Sequence, residues 1–169
     1  MPAGRAREGR VTDLIRINRD ILAPGLRLLP AKMDTTAARV LLLAIGLQES
    51  RLIHRRQIGG PARGLWQFER GGGVQGVLSH PASRELAREV CRACGVEPTS
   101  AAVYPALERD DRLAAAFARL LLWTDSRPLP APAAGAQAAW DYYTRNWRPG
   151  KPHRQTWDAF HAQAVRALA

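Results

Sequence analysis

The sequence predicts a mainly α-helical protein of six or seven helices around one central buried helix. Its composition, 46% apolar and 24% charged residues, is that of an ordinary globular chain. Its 169 residues are enough to bury about two-thirds of the surface that the unfolded chain exposes. Apolar residues recur at helical spacing between breaks rich in Pro and Gly. We expect one domain over residues 11–169, preceded by a flexible basic tail over residues 1–10.

The first predicted helix covers residues 12–22. Thr12 can cap its start, and Pro24 with Gly25 is expected to end it. Residues 26–33 then form an apolar connector to the central helix.

The central helix is predicted over residues 34–49, with Asp34 as its N-cap. Residues 40–47 are apolar on every face, which is typical of a buried helix rather than an amphipathic one. Gly46 inside this run costs about 1 kcal/mol relative to Ala, so we expect another backbone to approach it closely. The apolar run stops at Glu49.

Turn-forming residues follow Glu49, so a short β-hairpin or loop is predicted over residues 51–69. For the short apolar segment at residues 74–78, the sequence does not distinguish a helix from a strand. Residues 126–135 are rich in Pro and Ala and should cross the surface in a semi-extended form. A further helix is expected to start at Ser79 or Ser83 and to run to Cys94. The remaining helices are expected over residues 101–107, 110–123, 136–147 and 155–168.

The two cysteines, Cys91 and Cys94, lie three residues apart on one predicted helix. A zinc site would need further ligands, and no second C-x-x-C or H-x-x-x-H pattern accompanies them. We interpret them as two small buried side chains, and we expect neither a metal nor a cofactor.

The charge of the chain points to an anionic partner, because 25 Lys and Arg outnumber 15 Asp and Glu. Nucleic acid, anionic lipid and bacterial cell wall would all satisfy this. The arginines are spread over every segment, which disfavours a nucleic-acid-binding module with one basic helix. Such a module, or a structural virion protein without turnover, remains the alternative from another class.

Neither a membrane span nor a signal peptide is predicted from the sequence. No apolar run reaches about 18 residues, and the arginines at the N-terminus are not followed by an apolar segment. We therefore expect a monomer that is synthesised in the cytoplasm. To act on cell wall it would reach the periplasm or wall after release, or as part of a phage particle.

Glu49 is the candidate catalytic residue, since a glycosidic bond needs an acid that protonates its leaving oxygen. Apolar surroundings and the negative end of the helix dipole both favour the protonated carboxyl. Glu69 is the nearest candidate for a second carboxylate, which most glycosidases require. A single-acid mechanism is the other option, in which the 6-hydroxyl of the substrate attacks and a 1,6-anhydro ring forms.

Two segments carry a family resemblance: AIGLQESRL at residues 44–52 and ARGLWQ at residues 62–67. They resemble the Glu-Ser and Gly-Leu-Met-Gln signature of lytic transglycosylases with the goose-type lysozyme fold, and among these a phage or prophage member. The resemblance implies a lysozyme-like catalytic domain that cleaves the MurNAc–GlcNAc β-1,4 bond of peptidoglycan. It also implies that Glu49 is the general acid/base and that the following residues contact the substrate: Ser50, Trp66 and Gln67.

A later segment, AWDYY at residues 139–143 with Asn146 and Gly150, is similar to the family's Ala-Tyr-Asn-x-Gly segment, whose Tyr lies near the acid. The resemblance adds Asn146 to the substrate-binding residues and leaves open whether Tyr142 or Tyr143 is the tyrosine in question. The chain departs from the family at residues 57–58, where a Ser that assists the reacting sugar is usual. A lytic transglycosylase is expected, and a hydrolytic lysozyme, as in phage endolysins, is the alternative on the same bond.

Overall fold

Helices make up most of the protein, which confirms the predicted fold class. The computed structural model describes the backbone of residues 3–169 and the side chains from Arg10 onward. The α-helices are α1 Ala3–Ile17, α2 Ala23–Leu26, α3 Thr36–Ser50, α4 Gln75–Ser79, α5 Arg84–Ala93, α6 Ser100–Ala106, α7 Asp111–Trp123, α8 Gly135–Trp147 and α9 Arg154–Ala167. Wider π turns occur at Asn18–Leu22 and Arg70–Val74, and 3-10 turns at Ala31–Met33 and Pro132–Ala134.

The N-terminal helical stretch, which runs through α1, a π turn and α2, is longer at both ends than the sequence predicted. It already begins at Ala3, so the predicted tail was wrong for residues 3–10, while Met1 and Pro2 lie outside the described residues. Pro24 does not end the helix, because the π turn Asn18–Leu22 precedes it and leads directly into α2. There Pro24 is the second residue of α2, and the helical backbone continues through it to Leu26.

Helix α3 is the buried central helix that the apolar run predicted. It ends at Ser50, one residue beyond Glu49, and packs against α7, α8 and α9. Its N-cap is Thr35, whose Oγ1 accepts a hydrogen bond of 3.1 Å from the N–H of Ala38. The predicted cap, Asp34, instead forms a two-pronged ion pair with Arg39.

The return after α3 is a loop rather than a β-hairpin. Over the described residues it contains two isolated antiparallel bridges, Arg56 with Arg63 and Arg63 with Phe68, and no strand. The helical stretch over residues 70–79 that follows includes the apolar piece whose type the sequence left open.

The core lies between α3, α7 and the C-terminal helices, where Trp66, Phe117 and Trp157 are fully buried. Both cysteines are free thiols, with Cys91 buried and Cys94 partly buried, and burial raises the pKa of both. Among the described helices, none combines the length and the apolar character that crossing a membrane requires.

Candidate active site

A cavity of about 1020 Å³ opens where the C-terminal ends of α3 and α8 face the return loop. The π turn Arg70–Val74 and the segment after α8 complete its walls. Residues that line it include Gln48, Glu49, Gln67, Phe68, Glu69, Gly71, Gly72, Gly73, Tyr143, Arg145, Asn146, Trp147, Arg148, Lys151 and His153. The carboxylate at the end of α3 and the return loop after it, both predicted from the sequence, therefore line the same cavity.

Glu49 contributes to this cavity a carboxyl group whose pKa is raised. It is the penultimate residue of α3, and the folded chain shields most of its side chain from water. Burial raises the pKa of Glu49 from 4.5 to about 7, although a hydrogen bond from Tyr143 lowers it in part. Near neutral pH the carboxyl therefore divides between its protonated and ionised forms, so it can both give and take a proton.

Tyr143 of α8 holds the Glu49 carboxyl in place. Its hydroxyl donates a 2.6 Å hydrogen bond to Glu49 Oε1. The ring is buried and stacks on Trp157, with ring centroids 5.0 Å apart and an angle of 8° between the planes. Burial raises the pKa of Tyr143 well above its ordinary value, and so does the nearby Glu49, so the hydroxyl keeps its proton. The structure thus selects Tyr143 as the tyrosine beside the acid.

Tyr142, the other tyrosine that the sequence left open, points away from Glu49 and is not among the residues that line this cavity. Its buried hydroxyl lies 3.2 Å from the carbonyl oxygen of Leu122 and 3.1 Å from that of Arg127. Adjacent residues on a helix are about 100° apart around its axis, so only one of the two tyrosines can face the acid.

Trp66 belongs to the core and cannot contact a substrate, which corrects the expectation that it does. It is fully buried, and its Nε1 donates a 2.9 Å hydrogen bond to the carbonyl oxygen of Leu42. Gly46 makes room for this ring, because a Cβ there would lie 3.3 Å from Trp66 Nε1 and 2.3 Å from Leu52 Cδ2. The close approach predicted at Gly46 is therefore made by side chains rather than by another backbone.

Ser50 is also structural, and the expectation that it binds substrate was wrong. Its side chain is buried, and its Oγ donates a 2.6 Å hydrogen bond to the carbonyl oxygen of Leu65. Ser50 Oγ also accepts a 3.1 Å hydrogen bond from the N–H of Leu52. Ser50 thus ties the end of α3 to the return loop and fixes where Glu49 emerges.

Three other predicted residues, Gln67, Asn146 and Glu69, do line the cavity. Gln67 Nε2 donates to the carbonyl oxygen of Gly64 at 2.9 Å. Asn146 Nδ2 donates to Asp125 Oδ2 at 3.0 Å and to a backbone carbonyl of α8. Glu69 is exposed at the start of the π turn.

The basic side of the cavity was not predicted from the sequence. It consists of Arg145, Arg148 and Lys151, at the end of α8 and just beyond it. Arg145 is fixed by an ion pair of 2.7 Å between its Nε and Asp125 Oδ2. The signal was present as the basic run around residues 145–151, but nothing in the sequence placed it opposite Glu49.

Within residues 3–169, four residues other than glycine have a left-handed backbone: Arg51 with φ 60°, Leu52 with φ 56°, Gln67 with φ 53° and Arg148 with φ 49°. Arg51 and Leu52 directly follow α3, and Gln67 and Arg148 line the cavity. A side chain makes this conformation unfavourable, and such strain tends to collect at functional sites. The ends of both helices that meet at the cavity therefore contain strained residues.

This site can donate and accept a proton through Glu49, beside the basic residues Arg145, Arg148 and Lys151. No three His, Cys, Asp or Glu side chains of the described residues come together as ligands for a metal ion. A search of protein-family models, curated proteins and solved structures found no match to the chain.

Proposed function

We propose that this protein cleaves peptidoglycan glycan strands at the β-1,4 bond between MurNAc and GlcNAc, with Glu49 as general acid and base. The observation that carries the proposal is the Glu49 carboxyl, whose pKa is raised to about 7 by burial, in the wall of a cavity of about 1020 Å³. Cleavage of a glycosidic bond requires a proton on the leaving oxygen, and such a carboxyl supplies it at neutral pH.

The proposed reaction is that of lytic transglycosylases, which residues 44–52 and 62–67 resemble. Glu49 donates its proton to the glycosidic oxygen as the bond to C1 of MurNAc breaks. The resulting carboxylate, stabilised by the hydrogen bond from Tyr143, then takes the proton of the MurNAc 6-hydroxyl. That oxygen bonds to C1 and closes a 1,6-anhydro ring, so no water is consumed and Glu49 regains its proton.

A hydrolytic lysozyme is the second candidate, because Glu69 lines the same cavity. In hydrolysis a second carboxylate would act on water or on the sugar. Glu69 is exposed, unlike Glu49, and an exposed carboxyl can act in its ionised form. The two reactions need the same proton from Glu49 and differ in what attacks C1.

The basic wall supports an anionic polymer as the substrate. Arg145, Arg148 and Lys151 can meet the carboxylates that peptidoglycan carries, and the net charge of +10 favours association with an anionic cell wall. The proposed place of action is the periplasm or cell wall, which the protein reaches after release or in a phage particle.

The test compares the native protein with Glu49→Gln and Glu69→Gln on purified peptidoglycan. We expect Glu49→Gln to abolish clearing, since an amide has no proton of suitable acidity to give, while Glu69→Gln still clears. Mass spectrometry then identifies the products, because an anhydro end is lighter than a reducing end by one water. Clearing by Glu49→Gln at the native rate would contradict the proposal, and reducing ends would select the hydrolytic alternative.

A further inference from the structure

A second cavity, of about 490 Å³, lies beside α7 and has a buried arginine in its wall. That arginine, Arg119, is only 3% exposed. The other lining residues are Ala82, Leu122, Trp123, Asp125, Ser126, Arg127, Pro128, Leu129 and Tyr142. None of the proposed catalytic groups is among them.

The guanidinium of Arg119 has fewer partners than its burial requires. Its Nε donates a 2.7 Å hydrogen bond to the carbonyl oxygen of Met33, and its Cζ lies 5.3 Å from the ring centre of Trp123. Its Nη1 is buried and has no acceptor among the described residues, and none of their carboxylates forms an ion pair with Arg119. Burying a cation without an anion is strongly unfavourable, so the site is suited to receive one.

The carboxylates nearest to Arg119 are occupied by other groups. Asp34 binds Arg39 through both of its oxygens. Asp125 Oδ2 accepts from Arg145, and its Oδ1 accepts from the N–H of Arg127. Asp34 therefore acts on Arg119 only through its charge, and no carboxylate of the described residues bonds directly to the guanidinium.

The rest of the lining defines which anion fits. Leu122, Trp123, Pro128 and Leu129 present apolar surface beside the guanidinium. A guanidinium matches the two oxygens of a carboxylate, and the apolar lining suits an organic body better than a hydrated phosphate. Residues 126–128 form an exposed part of the rim of this cavity.

We propose that this cavity binds a singly charged carboxylate with an apolar body, with the carboxylate on Arg119. A free branched-chain acid and the carboxyl end of a peptide share this chemistry. The proposal does not depend on the function assigned to Glu49, because the two cavities use different residues.

The test measures binding by the shifts of backbone amide signals in the nuclear magnetic resonance spectrum. The probes are N-acetyl-leucine, its neutral amide N-acetyl-leucinamide, isovalerate and inorganic phosphate. We expect N-acetyl-leucine or isovalerate to shift the signals of the second cavity, with the amide and phosphate at least about tenfold weaker. If isovalerate binds as tightly as N-acetyl-leucine, the ligand class is a free branched-chain acid. If N-acetyl-leucine binds more tightly, the ligand class is the carboxyl end of a peptide.

Three variants complete the test. Arg119→Met removes the charge but keeps a long side chain, and it should weaken binding of N-acetyl-leucine about tenfold or more. Ala82→Trp narrows the exposed rim without touching Arg119, so it keeps the test decisive if Arg119→Met fails to fold. Arg92→Met removes an exposed charge outside the cavity and should change affinity less than about twofold. No binding of either carboxylate, equal binding of the amide or phosphate, or unchanged affinity in Ala82→Trp would overturn the proposal.

Discussion

Replacing Glu49 by Gln should make the protein more stable at alkaline pH. In the unfolded chain Glu49 ionises near its ordinary pKa of 4.5, and in the folded protein near 7. Below pH 4.5 both states hold the proton, so burial of the group carries no ionisation penalty. As pH rises from 4.5 to 7 the unfolded state loses its proton first, so the free energy of unfolding falls, and above 7 this loss is complete.

The size of this change in stability follows from the difference between the pKa of Glu49 in the unfolded and in the folded chain. One pKa unit corresponds to about 1.4 kcal/mol, so the ionisation of Glu49 lowers the free energy of unfolding by about 3 kcal/mol at alkaline pH. Gln has nearly the same shape and no charge at any pH. The stability of Glu49→Gln relative to the native protein should therefore rise by about 3 kcal/mol between acid and alkaline conditions.

Urea denaturation of both proteins at about pH 4 and about pH 8.5 measures this difference. Glu69→Gln is the matched control, because it removes an exposed carboxylate from the same cavity, and we expect it to change stability by less than about 0.5 kcal/mol. If the difference between Glu49→Gln and the native protein is the same at both pH values, then Glu49 is not held in a desolvated site and the reasoning fails.

Three further changes have defined outcomes. Tyr143→Phe removes the donor that stabilises the Glu49 carboxylate, so the pKa of Glu49 should rise further above 7. A pH titration of the carboxyl carbon signal by nuclear magnetic resonance measures this pKa, and an unchanged value would contradict the prediction. Gly46→Ala places a Cβ 2.3 Å from a methyl carbon of Leu52, so we expect a loss of about 1–3 kcal/mol in denaturant despite the better helix propensity of Ala, and a gain would refute this. Asp125→Asn removes the ion pair with the arginine of α8, so stability at neutral pH should fall by about 1–3 kcal/mol, and an unchanged melting temperature would show that the pair contributes little.

The sequence predicted the main helices and the position of Glu49 because both follow from local patterns. A continuous apolar run can only be a buried segment, and its end marks where a polar side chain emerges. The N-terminal helix was misjudged at Pro24, because a π turn before a proline leaves no trace in residue spacing. The loop after Glu49 was expected either as a hairpin or as a loop. Arg63 takes part in both of its isolated bridges, and its side chain also bonds to Tyr104 and Glu108, which lie far along the chain.

The cavity was predicted only in part, because it depends on long-range packing. The spacing of Trp140, Tyr143 and Trp147 placed these rings on one face of a helix, yet the sequence did not say that α3 meets that face. Trp66 was assigned to substrate, since nothing local shows that its indole reaches the carbonyl oxygen of Leu42. The basic wall at residues 145–151 was missed for the same reason.

The left-handed residues at the helix ends have a consequence for anyone who tries to make this protein more heat-resistant. Arg51, Gln67 and Arg148 are positions where glycine or asparagine adopts the backbone more easily, so a laboratory selection at high temperature should enrich such replacements there. Leu52 is different, because its side chain is buried in the core and its removal would leave a void. Two of these side chains form part of the cavity surface, so the heat-resistant survivors that carry changes at Gln67 or Arg148 should hold their ligand less well.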